Sequence, residues 1–326
     1  MTLALDVRSL SKRYGSRRAV DDISFSLTAG EIVGFLGPNG AGKTTTMRMI
    51  CGLIRPSTGS VEVLGQRVPG SSLRQLGAMI EEPSFYPYLS GRDNLTYAAG
   101  MHGGIAASRI DEVLKLVGLQ GRAKDAVRKY SQGMRQRLGL ARALLPEPKV
   151  ILLDEPTNGL DPEGVAELRE VIRKLGSRGL TVLVSSHILG EVQKTVDRVL
   201  IIDAGKILAD GPIASLFNQL DAANVTYRLE TSEPNRALEV LRREPWVAGS
   251  ELRGEHLQMV IPRAAAYRVG PLLVQSGVPF TELARETATQ DLEDLYLRVV
   301  KDAHGDKTVN KTVNKTVDKT LKAGGQ

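Results

Sequence analysis

The 326-residue chain has a single cysteine, Cys51. No disulfide can form within it and no thiolate cluster can hold a metal, which suits a reducing, cytosolic setting. Long apolar runs are missing too. The longest aliphatic stretches are Val150-Ile151-Leu152-Leu153 and Val199-Leu200-Ile201-Ile202, far short of the ~20 residues that cross a bilayer. Met1-Thr2-Leu3-Ala4-Leu5-Asp6 has no basic segment followed by an apolar one, so no secretory signal is expected. Neither charge dominates: 43 lysines and arginines against 37 acidic residues leave a net +6. What is present is 42% hydrophobic and 25% charged, the balance of a soluble globular protein with a sizeable core. The length suits about two domains.

The charge is unevenly placed. Residues 301–326 carry six lysines against three aspartates, half of the net excess in a short tail. The tail repeats with period four, from Lys307-Thr-Val-Asn to Lys319-Thr-Leu-Lys. That period slips against the 3.6 of a helix, so the lone Val of each repeat builds no lasting stripe, and a disordered appendage is expected. A tether to a membrane surface or to nucleic acid is the sharper reading of the same lysines.

Residues 1–215 alternate short apolar strands with helical patterns, which predicts an α/β domain on a parallel sheet. Glu31–Leu36 reads as a strand. Met47, Ile50, Cys51 and Ile54 form one apolar helix face, so Cys51 belongs to a core rather than to a reactive site. Ile110, Val113, Leu114 and Val117 repeat that spacing before Gly118. Asp161 and Pro162 open a further helix as N-cap and first residue. After Gly211-Pro212 the texture changes. Alternating Val225, Tyr227, Leu229 and Leu257, Met259, Ile261 predict half-buried strands, with helices near Leu238–Leu241 and Leu272–Val274 and a last one through Leu292, Leu295, Tyr296 and Val299. Residues 216–300 are thus expected to form a small α+β domain in strand-helix-strand-strand-helix-strand order, and 301–326 the tail.

One segment carries chemistry outright. Gly37-Pro38-Asn39-Gly40-Ala41-Gly42-Lys43-Thr44 matches G-x-x-x-x-G-K-[ST] after a strand and before a helix. Glycines let successive backbone N–H groups turn toward phosphate oxygens, and the helix N-terminus adds its positive end. Lys43 would reach the β- and γ-phosphates and the Thr44 hydroxyl a Mg²⁺ ion, with Thr45 beside it. Downstream, the strand Val150–Leu153 ends in Asp154 and Glu155. Asp154 suits the magnesium shell, and Glu155 suits polarising the attacking water.

Between these motifs lies Tyr130-Ser131-Gln132-Gly133-Met134-Arg-Gln-Arg137, ahead of a Leu- and Ala-rich helix. It resembles the LSGGQ signature of ABC-transporter ATPases. Further pieces follow in that family's order: Tyr14 in Ser11-Lys-Arg-Tyr-Gly15, Gly159-Leu160-Asp161 and Ser185-Ser186-His187. The resemblance covers residues 3–215. It implies a P-loop ATPase fold with a parallel-sheet core and a helical signature subdomain. It implies that Tyr14 stacks on adenine, Glu155 and His187 act in hydrolysis, and Asp161 lies in the D-loop. By the same resemblance, Ser131, Gln132, Gly133 and Met134 cap the γ-phosphate held by the other subunit of a head-to-tail dimer. Two departures stand out. Glu81 occupies the place of the family's usual Gln; it could still ligate Mg²⁺ alongside Thr44 and Asp154, adding charge. Gln132 and Met134 replace the usual Gly and Gln of the signature. Both departures, Glu82-Pro-Ser-Phe85-Tyr86-Pro87 and Leu292–Leu297 resemble the branch that includes bacitracin and daunorubicin exporters. ATP, Mg²⁺, a separate membrane permease and a homodimeric or paralogous ATPase pair are implied, at the cytoplasmic face of the cell membrane, with no nucleic-acid partner. An importer ATPase and a soluble ABC protein acting on ribosomes or DNA are the alternatives. A second cassette, long coiled coils and zinc sites, which ribosome- and DNA-acting members carry, are absent.

Overall fold

Two long strands open the chain, β1 (Leu3–Tyr14) and β2 (Arg17–Thr28). With β4 (Thr58–Val63) and β5 (Gln66–Arg67) they make an antiparallel sheet of order β2-β1-β4-β5. This sheet stands beside the expected parallel one. The computed structural model describes residues 2–217, 224–254, 256–286 and 292–304. They divide into two compact units: one up to Pro212 together with the end of the last helix from Val299, and one spanning Ile213–Arg298.

The first unit's second sheet has six strands in the order β10-β9-β3-β8-β7-β6. These are β3 (Ile32–Leu36), β6 (Leu76–Met79), β7 (Val150–Leu153), β8 (Thr181–Ser186), β9 (Arg198–Asp203) and β10 (Lys206–Pro212). Five run parallel and β10 closes one edge antiparallel to β9. Every residue of β3, β7 and β8 is buried, as expected for strands covered on both faces and written as continuous apolar runs. β3 lies between β8 and β9, neither adjacent in sequence, so the loops leaving the carboxyl ends of β3, β7 and β8 gather at one edge. In open α/β sheets that edge is where ligands bind.

The two sheets share one core. Val7, Leu10, Val20 and Phe25 of the antiparallel sheet pack with Phe35, Leu152 and Leu183 and with Met47 and Ile50 of helix α1 (Lys43–Ile50). The Phe25 and Phe35 rings lie 5.9 Å apart. Each large side chain fully withdrawn from water here stabilises by about 1.5–3 kcal/mol. The α1 pattern was expected to run on to Ile54. The helix ends at Ile50 because Gly52 turns left-handed at φ +67°, and Ile54 reaches the same core from the following turn.

A helical segment is inserted between β6 and β7: α2 (Gly91–Met101), α3 (Ala107–Leu116) and α4 (Gln132–Leu144). Ser90 caps α2 by accepting from Asp93 N at 3.0 Å, and Gly118 ends the α3 stretch at φ +70°. α5 (Pro162–Ser177) covers the sheet with Leu168, Ile172 and Leu175, and the short α6 (Leu189–Gln193) precedes β9.

In the second unit, β11 (Asn224–Glu230), α7 (Pro234–Arg242), β12 (Gly249–Arg253), β13 (His256–Pro262), α8 (Val269–Gln275) and β14 (Glu282–Glu286) follow one another. The sheet order is β12-β13-β11-β14, all antiparallel. This is the ferredoxin-like split arrangement that the sequence order predicts. Its core is Leu229, Leu257, Met259 and Ile261 against Ala237, Leu241, Val269 and Leu273. The last helix, α9 (Leu292–His304), runs four residues into the stretch assigned to the tail. The Lys-Thr-Val repeats themselves lie outside the described residues.

Candidate nucleotide site

The loop from Gly37 to Gly42 leaves β3 and enters α1 at Lys43. Two of its glycines, Gly37 and Gly42, are sterically required. A Cβ on Gly37 would lie 2.1 Å from the Ile202 carbonyl oxygen, and one on Gly42 would lie 2.7 Å from that of Ala19. Gly42 also has φ +115°, which L side chains rarely adopt. Lys43 is 5% exposed. Its ammonium donates to Gly37 O at 2.7 Å and to Pro38 O at 3.3 Å. The remaining loop residues, Asn39, Gly40 and Ala41, complete the cradle, and Thr44 and Thr45 sit in the first turn of α1.

Lys43 also faces the end of β7. Its Nζ lies 3.1 Å from Glu155 Oε1. Glu155 Oε2 in turn lies 2.6 Å from His187 Nδ1, at the end of β8. Glu155 holds a left-handed backbone, φ +49°, a conformation that costs a non-glycine residue of order 1–3 kcal/mol and tends to mark functional positions. Buried Ser185 supports both acids. Its hydroxyl donates to Asp154 Oδ1 at 2.6 Å and accepts from the Glu155 backbone N–H at 2.9 Å. Glu155 Oε1 is buried and accepts no hydrogen bond among the described residues. A buried carboxylate oxygen with only a charge partner suits an incoming donor such as water. The cradle, Asp154, Glu155 and His187 therefore converge from three parallel strands.

The signature residues form a second cluster. Ser131 is the N-cap of α4, accepting from Met134 N at 3.2 Å. A Cβ on Gly133 would sit 3.8 Å from Leu160 Cδ2, which brings the signature against the turn before α5. Asp161 caps α5, accepting from Gly164 N at 3.1 Å. Tyr14 stands at the end of β1, 50% exposed, with Lys12 Nζ 5.2 Å from its ring centre. Glu81 differs from expectation: its carboxylate pairs with Arg48 on α1, its side chain is 63% exposed, and its backbone is left-handed at φ +65°. Arg48 is thus the partner that the Glu81 carboxylate meets.

Sequence reasoning missed the supporting residues. Ser185 was read only as part of a motif, although a serine in an apolar strand must find a partner when buried. Arg48, partner of Glu81, carried no signal of its own. Among the described residues, no three His, Cys, Asp or Glu side chains cluster as a self-sufficient metal site.

Known proteins bear on this geometry. Residues 20–158 match the family model described as "ABC transporter". An uncharacterised ABC transporter ATP-binding protein, YhcH of Bacillus subtilis (strain 168), is 40% identical over 92% of this chain and 96% of its own length. The chain belongs to the ABC transporter ATP-binding proteins. The bacitracin transport ATP-binding protein BcrA of Bacillus licheniformis is 38% identical over 92% of this chain and 98% of that protein. The lantibiotic transport ATP-binding protein SrtF of Streptococcus pyogenes is 41% identical over 63% of this chain and 90% of its own. Among solved structures, an ATP-binding subunit of an ABC transporter aligns with TM-score 0.60 and 31% identity over 67% of this chain and 93% of that one. CbiO1 from Clostridium perfringens aligns with TM-score 0.62 and 25% identity over 68% and 93%. As an ABC transporter ATP-binding subunit, the chain couples ATP hydrolysis to transport. None of its described helices is long and apolar enough to cross a membrane.

Proposed function

We propose that this subunit powers an exporter of peptide-like antibiotics, acting at the cytoplasmic face of the membrane on a separate permease. The convergence of Lys43, Glu155 and His187 carries the hydrolytic reading. The full-length similarity to BcrA supports the exporter reading, because it includes the second unit as well as the cassette.

The Gly37–Gly42 loop offers its N–H groups, and the Lys43 ammonium its charge, to the β- and γ-phosphates of ATP. Lys43 must leave part of its contact with Glu155 to do so, which frees the carboxylate for water. Glu155 polarises that water, and His187 Nδ1, bonded to Oε2, fixes the carboxylate's orientation. Thr44 and Asp154 fit a magnesium ion, which prefers one or two protein oxygens together with phosphate and water. When bound, it neutralises charge on the phosphates. Glu81 could join them only by leaving Arg48. Tyr14 offers a ring face to adenine. Ser131, Gln132, Gly133 and Met134 present a helix N-terminus to the γ-phosphate of a partner subunit's ATP, with Asp161 at the same junction.

Glu155→Gln tests the centre of this reading. It should keep MgATP affinity and lose roughly 10²–10⁴-fold in kcat. Near-normal turnover would remove Glu155 from its role. For the cargo, cells carrying the subunit with its permease should tolerate more bacitracin than cells carrying the Glu155→Gln form, and equal sensitivity would refute the export assignment.

A further inference from the structure

Gln132, where the family's signature usually has Gly, is held by two side-chain hydrogen bonds and lies beside the turn at Gly159. Its Oε1 accepts from Arg135 Nη2 at 2.9 Å, and Arg135 Nη1 is anchored on Tyr130 O at 2.7 Å. With Oε1 so engaged, Nε2 faces Glu82 and donates to its Oε1 at 3.2 Å. The donor set of Arg135 fixes which end of the amide is which. On a third side, the place a Cβ would take on Gly159 lies 3.9 Å from Gln132 Cγ. Gly159, at φ +74°, belongs to the turn that leads to the α5 cap.

Glu82 is itself on a fastened segment. The position of a Cβ on Gly139 of α4 would fall 2.8 Å from Pro83 Cγ, Arg142 Nη1 donates to Ser84 O at 2.9 Å, and the Arg142 guanidinium lies 5.1 Å from the Phe85 ring centre. The stretch after β6 thus runs along α4, and Glu82 meets the first residue of that helix. A glycine at 132 would leave Glu82 without this partner.

From this geometry we infer that Gln132 and Glu82 are a pair of positioning residues, linking the segment after β6 to the signature turn and setting how Ser131 and Gly133 are presented. The inference rests on the reading of Ser131–Met134 as the face that closes over a partner's ATP. The segment is thus joined to α4 at its first residue by this hydrogen bond, and farther along the helix through Pro83, Ser84 and Phe85. The Met134 backbone N–H serves the Ser131 cap.

The test uses the full chain carrying Glu155→Gln, with MgATP-driven dimerisation followed by sedimentation and ADP affinity of the monomer measured alongside. Gln132→Glu places two carboxylates together and should weaken the dimer about tenfold, the usual scale for losing a charged hydrogen bond and gaining repulsion. Adding Glu82→Gln to it exchanges the two groups, remakes the bond, and should restore dimerisation to within about twofold. ADP affinity should not change in either. A swap that fails to restore the dimer, or an ADP affinity that falls in step with it, overturns the pairing. Should Gln132→Glu not fold, Gln132→Ala and Glu82→Ala carry the same question: losses that do not add support the link, and additive losses overturn it. Ser131→Arg separates the two levels. If it abolishes the dimer while the Gln132 variants leave it intact, the pairing alone fails; if the dimer survives Ser131→Arg, the signature reading fails and the pairing with it.

Discussion

Lys43 answers to two partners, and its substitution removes both. As the cradle's cation it should contribute a charge-assisted phosphate contact, so Lys43→Ala should weaken ATP binding by about tenfold or more, read by nucleotide titration. Unchanged affinity would displace it from the phosphates. The second partner, Glu155, lies 112 residues away in sequence yet 3.1 Å away in space. This is why the site was only half legible. Lys43, Asp154, Glu155 and His187 announce themselves because each ends or follows a strand in a fixed motif. Ser185 becomes a partner of Asp154 only once β7 and β8 lie side by side, and Arg48 on α1 meets Glu81 only once the segment after β6 folds beside that helix. Cys51 was readable as a core residue from spacing alone, and its surroundings make it testable. Burial first, and the nearby Asp154 charge second, push its thiol from 9.0 up to about 12. The folded form therefore holds its proton more tightly. The stability this contributes is present below pH 9 and is lost as pH rises toward 12. At pH 8 alkylation of the native thiol should be much slower than in denaturant, because less of it is thiolate. Comparable rates in the two states would show that the thiol is not shielded.

Elements with a clean start signal were the readable ones. Asp161-Pro162 marks the beginning of α5, and Asp161 does accept from Gly164 N. Asp161→Ala should cost about 0.5–2 kcal/mol, seen as a lowered Tm, whereas Asp161→Asn keeps an acceptor and should cost only a fraction of that. If Asp161→Asn preserves Tm but lowers turnover, the side chain acts beyond its cap; if both stay normal, capping is its whole contribution. The antiparallel sheet was not readable, for a physical reason. β1 and β2 pair through repeated register shifts, between Leu3 and Leu5, Val7 and Leu10, Leu10 and Lys12, and Lys12 and Arg13. Each bulge slips the inward-facing residue by one, so strict alternation never persists over the length of the strand. In the second unit the pattern is unbroken: β13 alternates buried Leu257, Met259 and Ile261 with half-buried neighbours, and β11 pairs with it in constant register. There the whole order of elements could be written down from sequence.

At the scale of the whole molecule, full-length relatives share more of this chain than the solved cassettes do. Relatives such as BcrA match over 92% of this chain, while the solved cassettes match over 67–68% of it. The second unit is therefore part of what the full-length relatives share. α9 buries Leu292 and Leu295 completely and leaves Val300 only 8% exposed. A chain cut after Val300 would lose the last turn of that helix. A chain ending at His304 keeps the helix entire and removes only residues 305–326, a Lys-Thr-Val repeat with no apolar stripe to dock. The 1–304 protein should match the full chain in Tm and in kcat for ATP, whereas the 1–291 protein, which lacks α9, should melt lower. Loss of turnover in 1–304 would mean that the repeat takes part in the ATPase cycle. If turnover is intact but binding to anionic vesicles falls with truncation, and falls with added salt in the full chain, the lysines act as an electrostatic tether. Equal vesicle binding by both proteins would leave the tail without a membrane role.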